Sequence, residues 1–450
     1  MKKEKVIVIG TNHAGTHSIL EIANKYKDTH EVITYDKNDN ISFLGCGMAL
    51  WIGGVIDSGD GLFYATPESL REAGAEVHMK HNFKNVDFDK KTIEVEDLEN
   101  GDIKTETYDK LIFAIGSWPI LPPLPGHDLE NIIYAKIFQN AQGAIEKIKD
   151  PSIKKVTVVG AGYIGIELVE AFKVNGKEVT LINDMNVLNR YYDPNFQEMM
   201  KTNLEKNGII MKLGETVTEF VGDKKVNKVI TTKGEYETDL VLMSIGFKPN
   251  TGILADTGIE LTPRGAILTN NRMETSIKDV YAIGDCSTVY NNASEQFENI
   301  ALATNAVRTG IVAGHNACGT PLEMQGVQGS NAIHIFGLTL CSTGLTESVA
   351  KSLGMNVESV EFTDLIKSAF MPENDNITVK VVWDKKTKRI IGAQMASTSD
   401  ITLALHFFSL AIQERYTIDK LALTDTFFLP HFNQPHNFIT KAGLLALGKL

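Results

Sequence analysis

Cys46 stands between Gly45 and Gly47 in the stretch Ile41 to Gly53, and it is the thiol placed to do chemistry. The flanking glycines let the backbone approach a bound ligand closely. Met48-Ala-Leu-Trp-Ile52 follows with helical character, so Cys46 is expected to begin a helix whose dipole lowers the thiol pKa and favours thiolate. No other cysteine is near, so the oxidised state open to it is a sulfenic acid, formed by attack on a peroxide. Cys286, Cys318 and Cys341 lack this setting and read as inert structural residues. His13 has the side chain for general acid work near neutral pH, although by itself it reads as a simple helix-start histidine. The other histidines, His431 and His436 among them, have no zinc-like spacing with the cysteines, and no metal is expected.

Two glycine turns must hold these groups in place. Val6-Ile-Val-Ile-Gly10 suits a buried parallel strand, and Thr11-Asn-His-Ala-Gly15 leads into a helical pattern. Gly10 makes the tight turn and Gly15 lets helix pack on strand, while Asn12 replaces the middle glycine of G-x-G-x-x-G. Val32-Ile-Thr-Tyr-Asp36 then reads as a second strand ending in a carboxylate, at the ~20-residue distance expected of a group that binds ribose hydroxyls. About 150 residues on, Val156-Thr-Val-Val-Gly160-Ala-Gly162-Tyr-Ile-Gly165 gives the intact fingerprint, whose helix N-terminus suits a pyrophosphate. The next strand, Glu178 to Ile182, ends in Asn183 with Asp184 just after it. Asn183 can hydrogen-bond a ribose but does not repel a phosphate on it.

An internal repeat supports two such units. Tyr108-Asp-Lys-Leu-Ile-Phe-Ala-Ile-Gly116-Ser-Trp-Pro and Thr238-Asp-Leu-Val-Leu-Met-Ser-Ile-Gly246-Phe-Lys-Pro share an acid, an apolar strand, a glycine and a proline. Each copy would close one nucleotide-binding unit and send the chain to the other, which predicts duplicated Rossmann-like folds. A third strand, near Val280, ends in Gly284-Asp285 and would place a carboxylate beside a bound cofactor.

In this order, these elements resemble the flavoprotein disulfide reductase superfamily over nearly the whole chain. The resemblance implies FAD in the first unit, NAD(P)H in the second, and Asp285 on the ribityl chain. One branch of that superfamily carries Cys-x-x-x-x-Cys, but here position 51 is Trp, so a dithiol mechanism is not expected. Ser42 to Gly53, Asn12-His-Ala-Gly15 and Phe427-Phe-Leu-Pro-His-Phe-Asn-Gln-Pro435 resemble the single-cysteine branch. Within it the likeness is greatest to water-forming NADH oxidases, then to NADH peroxidases, then to coenzyme A disulfide reductases. It implies an NAD(P)H oxidase that reduces oxygen to water through a flavin hydroperoxide and a thiol to sulfenic acid cycle at Cys46. His13 becomes catalytic in this light. Around FAD the resemblance places Gly10, Asn12, His13, Ala14, Gly15, Asp36, Cys46, Phe83, Ala114, Gly116, Lys136, Gly284, Asp285, the helix start Ala301, Leu302, Ala303 and Thr304, and Phe428 from the last domain. Around the nicotinamide nucleotide it places Gly160, Gly162, Tyr163, Ile164, Gly165, Glu167, Asn183, Asp184, Tyr191, Gly246 and Gly329. NADH is expected ahead of NADPH, with NADPH eased by Asn183 and by Arg190 within reach of a phosphate. A redox-sensing or electron-delivering flavoprotein is the alternative of another class.

Composition agrees. The 450 residues are 43% apolar and 22% charged, enough for two or three domains, and no stretch is apolar enough to span a bilayer. A net charge of −12 disfavours nucleic acid and anionic membranes. With the first strand starting at Val6 no secretory signal fits ahead of it, and the scattered cysteines give no disulfide framework, so a reducing cytoplasm is inferred. The expected fold is α/β: residues 1–120 with 250–325 as the FAD domain, 121–249 as the NAD(P)H domain, and 326–450 as an α+β dimerisation domain. That last assignment makes a homodimer or higher homo-oligomer the expected state.

Overall fold

A computed structural model describes residues 2–448. Its first sheet has five parallel strands in the order Val280–Ala282, Lys110–Phe113, β1 (Glu4–Ile9), β2 (His30–Asp36) and Glu76–Met79. Val6, Ile7, Val8, Leu111, Ile112 and Phe113 are fully buried, as continuous apolar runs in a two-sided sheet must be. Helix α1 (His13–Lys25) and the helix Ala303–Ala317 pack together over this sheet, so segments almost 300 residues apart in sequence build one unit.

The second sheet repeats the plan. Ile210–Leu213, Glu178–Asn183, Lys155–Val159, Leu240–Met243 and Ile132–Tyr134 run parallel in that order. The two sequence repeats end against each other: Ser117–Pro119 pairs antiparallel with Phe247–Pro249, where the chain crosses between units. The fold is thus α/β with two Rossmann-like sheets and a third, antiparallel sheet. That third sheet follows the order Asn331–Ile335, Leu338–Gly344, Ile390–Ser397, Asn376–Asp384 and Val357–Leu365, with Trp383 fully buried in its core. Helices Thr402–Gln413 and Phe438–Leu447 cover it.

One expectation fails locally. Cys46 does not open the helix after it: Gly45–Gly47 forms a single 3-10 turn, and the following helix α2 (Met48–Ile52) has five residues. So short a helix has little dipole to offer the thiol.

Candidate active site

The two glycine turns are built alike. Gly10 has φ +98°, and a β-carbon there would lie 2.4 Å from the Ala114 carbonyl oxygen; Gly160 has φ +105°, and a β-carbon would lie 2.4 Å from that of Ser244. Only glycine fits either turn. Gly15 and Gly165 let the helices close onto the turns, since a β-carbon on either would sit 1.9 Å from the oxygen of Gly10 or Gly160. The middle position is different. Asn12 (φ −79°) and Gly162 (φ −79°) are both extended, so the first turn tolerates a side chain there.

These turns fit dinucleotides. The N-termini of α1, of Tyr163–Val174 and of Ala303–Ala317 carry no side-chain cap and no acid in their first turns. Their free amides are suited to anions. By contrast, the helix Pro67–Ala73 is closed by a Thr66–Ser69 capping box. Ala301 and Leu302 precede the third of these helices, and Ala303 and Thr304 begin it. Gly284 lies where that helix meets α1, within 2.9 Å of Ala14 measured from its would-be β-carbon.

Asp36 ends β2, half-buried, and Oδ2 accepts from the Thr11 N–H and hydroxyl, each at 2.7 Å, while Oδ1 accepts from the Asn38 N–H. Burial nevertheless raises its pKa. Asn183 has the same place in the second unit. Its Oδ1 accepts from the Ala161 N–H at 3.1 Å and its Nδ2 donates to the carbonyls of Met185 and Asn186, so the amide laces its own loop. Asp184, which follows it, and Arg190, later in the same loop, are exposed.

Cys46 is exposed at the surface where the first two units meet, with part of its thiol still covered by protein. The expectation of a lowered thiol pKa is overturned: burial by surrounding protein raises it, the Glu167 charge adds to that, and Lys136 opposes. Glu167 itself is pushed up to about 7, by burial and then by Glu170. His13, the first residue of α1, is half-buried, and its Nδ1 lies 3.0 Å from the Tyr64 hydroxyl. Burial lowers its pKa; Asp285 opposes, while His17 and Lys136 reinforce the shift. His13 and Cys46 therefore feel the same two charged groups, Lys136 and Asp285.

Lys136 and Asp285 form a cluster with a residue that sequence reading missed. Ser117 donates to Asp285 Oδ2 at 2.7 Å, and Lys136 Nζ donates to Ser117 Oγ at 3.0 Å and to Asp285 at 3.2 Å. Lys136 also sits 4.6 Å over the Phe247 ring. Ser117 and Phe247 are the residues after the repeat glycines Gly116 and Gly246, and that matched position was the available signal.

On the second unit, the Tyr163 hydroxyl donates to Asn331 and lies 2.9 Å from the Tyr192 hydroxyl, and its ring meets Tyr191 edge-on at 4.5 Å. Asn331 donates back to the Gly329 carbonyl at 2.7 Å, which brings Gly329 to this edge. Ile164 is partly buried against the adjoining core. Two expected residues lie apart from the cluster. The Phe83 side chain is a core ring packed edge-on to Phe113, and Phe428 is exposed among Phe427, Leu429 and Phe432. Among the described residues, no group of three or more His, Cys, Asp or Glu is placed to hold a metal, and no helix is long and apolar enough to cross a membrane.

Two uncapped glycine turns and one exposed thiol are the features of a redox protein that takes dinucleotides. Residues 4–310 match the pyridine nucleotide-disulphide oxidoreductase family and residues 331–436 its dimerisation domain, and the chain belongs to that family. It is an oxidoreductase that works with FAD and a reduced nicotinamide nucleotide. It is 51% identical to an NADH oxidase of Streptococcus pyogenes serotype M6, covering 98% of this chain and 99% of that one. An NADH oxidase of Enterococcus faecalis is 44% identical with 98% and 99% covered. The water-forming NADH oxidase from Lactobacillus brevis, solved with NADH, superposes with a TM-score of 0.96 at 40% identity over 99% of both chains. An engineered water-forming NADPH oxidase, solved with NADPH, also gives 0.96 at 40% identity, over 99% of this chain and 98% of that one.

Proposed function

We propose that this chain is an FAD-dependent NADH oxidase that reduces oxygen to water, with Cys46 cycling between thiol and sulfenic acid. The observation that carries this reading is the isolation of the thiol. Cys46 is exposed while Cys286 and Cys341 are buried and Cys318 is half-buried, and all four are free, so Cys46 has no disulfide partner. The water-forming relative from Lactobacillus brevis and the streptococcal NADH oxidases support the same activity.

FAD, when bound, supplies the two-electron exchange between nicotinamide and oxygen. The chain does the rest. Gly10, Asn12, Ala14, Gly15 and the start of the helix Ala303–Ala317 would hold it with their free amides, Asp36 and Asp285 would accept from its hydroxyls, and Lys136 would add a positive charge. Gly160, Gly162 and Gly165 receive the nicotinamide nucleotide, with Tyr163 and Glu167 at the entrance to the cleft. Hydrogen peroxide formed in the cleft meets Cys46 before it escapes. Its S–H proton passes to Nε2 of neutral His13, sulfur attacks one peroxide oxygen as the O–O bond breaks, and the departing hydroxide takes the proton from His13 to become water. The resulting Cys–SOH accepts two electrons and two protons, from a second NADH and solvent, and returns to Cys–SH plus water.

The ratio of NADH to oxygen consumed tests this, with peroxide assayed in parallel. The reading requires about two NADH per oxygen and no free peroxide. Activity confined to added peroxide would make the chain a peroxidase, and turnover that needs a partner protein would make it an electron carrier; either overturns the proposal.

A further inference from the structure

Ser42 is a buried serine with φ +58°, a left-handed conformation that a non-glycine residue adopts only when its surroundings impose it. Its surroundings are the cleft itself. The Ser42 N–H donates to the Thr11 carbonyl of the first glycine turn at 3.3 Å. Its Oγ accepts from the N–H groups of Tyr64 (3.1 Å) and Ala65 (2.9 Å) and donates to the Ala65 carbonyl at 2.8 Å. Next to it, Phe43 bridges Phe63, and the Leu44 N–H donates to Leu62 at 2.8 Å. The loop that carries Cys46 is therefore stitched to the segment that carries Tyr64, and both are stitched to the turn that carries His13.

Tyr64 completes the loop. Its hydroxyl meets His13 Nδ1 at 3.0 Å, and the two rings are nearly parallel, 7° apart. His17, one turn along α1, lies at 5.7 Å against the same tyrosine ring. We infer that Tyr64 is a positioning residue for the oxidative half of the reaction: held by Ser42, its hydroxyl accepts from His13 Nδ1–H and leaves Nε2 as the nitrogen that takes and returns the Cys46 proton. A neutral imidazole carries one N–H, so a partner fixed at one nitrogen selects the tautomer and the role of the other. Burial and the Glu167 charge raise the pKa of the Cys46 thiol while burial lowers that of His13, so both shifts favour the neutral forms between which a proton would pass. The groups facing His13 are Tyr64, His17, Asp285 and Lys136, and Tyr64 is the one that hydrogen-bonds it.

This inference rests on the thiol cycle proposed above, and its test separates the two. Tyr64→Phe keeps the ring and removes the hydroxyl. Purified with FAD, the variant should be reduced by NADH under anaerobic conditions at the wild-type rate. Its turnover with oxygen should fall roughly tenfold, within the ~10²-fold scale of a lost general acid, and it should leak peroxide. The limb of its pH profile that reports His13 should move to lower pH, since the hydroxyl no longer supports the imidazolium. Introduced into His13→Ala, the same change should cost nothing further. A packing role would instead give equal losses in both backgrounds, and that result overturns the inference, as does loss of FAD or an unchanged oxygen rate. A wild type that releases peroxide stoichiometrically overturns the thiol cycle, whatever Tyr64 does.

Discussion

At the scale of residues, the chemistry is set by which polar groups are already engaged. His13 has one nitrogen tied to Tyr64 and, among the described residues, no hydrogen bond at the other, so His13→Ala should retain FAD and NADH-driven flavin reduction while slowing turnover with oxygen by ~10²-fold, measured by stopped-flow. A variant that came off the column without FAD would show His13 to be a packing residue. Asn183 shows how a residue type can mislead. By type it reads as a ribose ligand stripped of charge, yet in the fold its amide laces residues 183–186 and holds the Ala161 N–H, as Asp36 holds that of Thr11. Aspartate could keep the Ala161 contact while adding charge where a 2′-phosphate would lie. Asn183→Asp should therefore depress kcat/KM for NADPH more than for NADH; equal responses would remove position 183 from nucleotide selection. Tyr64 was illegible for a related reason: it stands 51 residues from His13, which its hydroxyl meets directly, and its backbone is held by Ser42, contacts with no periodicity to read.

At the scale of elements, the second nucleotide-binding unit is clamped to the last sheet through one buried charge cluster. Asp193 stands at the N-cap position of the helix Pro194–Lys206 but does not cap it; its carboxylate serves the C-terminal unit, accepting from the N–H groups of Glu347 and Ser348, each at 3.0 Å, and from Gln394 at 2.7 Å. Lys380 lies 3.1 Å from Asp193 and 2.8 Å from Glu347, with both Lys380 and Asp193 buried. Removing one member strands the others, so Asp193→Ala should cost about 3–5 kcal/mol in urea unfolding. Burial works against the Glu347 charge, but Lys351, Lys380 and Ser359 bring its pKa to about 2, and Asp193 is also held low. Groups depressed in the fold contribute stability above their unfolded pKa and lose it as pH falls toward the folded value. The wild type should thus lose stability between about pH 4.5 and 2, and Lys380→Met should flatten that loss. None of this was legible in sequence, where Asp193 and Lys380 are unremarkable charges nearly 190 residues apart. The strands, the glycine turns and the repeat were legible, because local period and glycine geometry write them directly. The turn at Cys46 was not, since five helix-forming residues look alike whether or not a real helix begins at the cysteine.

At the scale of the molecule, the last unit leaves apolar surface uncovered. Leu403 and Leu423 are 81% and 82% exposed, and Phe427 and Phe432 are 69% and 62% exposed, in a unit that matches a dimerisation domain. Leu423→Glu with Phe427→Asp should convert an oligomer to monomers by light scattering and weaken FAD retention if Phe428 completes the flavin site of the neighbouring copy. A wild type that is monomeric would contradict the assembly. The proposed activity turns on the lone thiol, and one measurement tests that most directly: the NADH to oxygen ratio of Cys46→Ser, with peroxide assayed in the same cuvette. The ratio should fall from about two to about one while hydrogen peroxide accumulates. A Cys46→Ser enzyme that still consumed two NADH per oxygen and formed only water would contradict it.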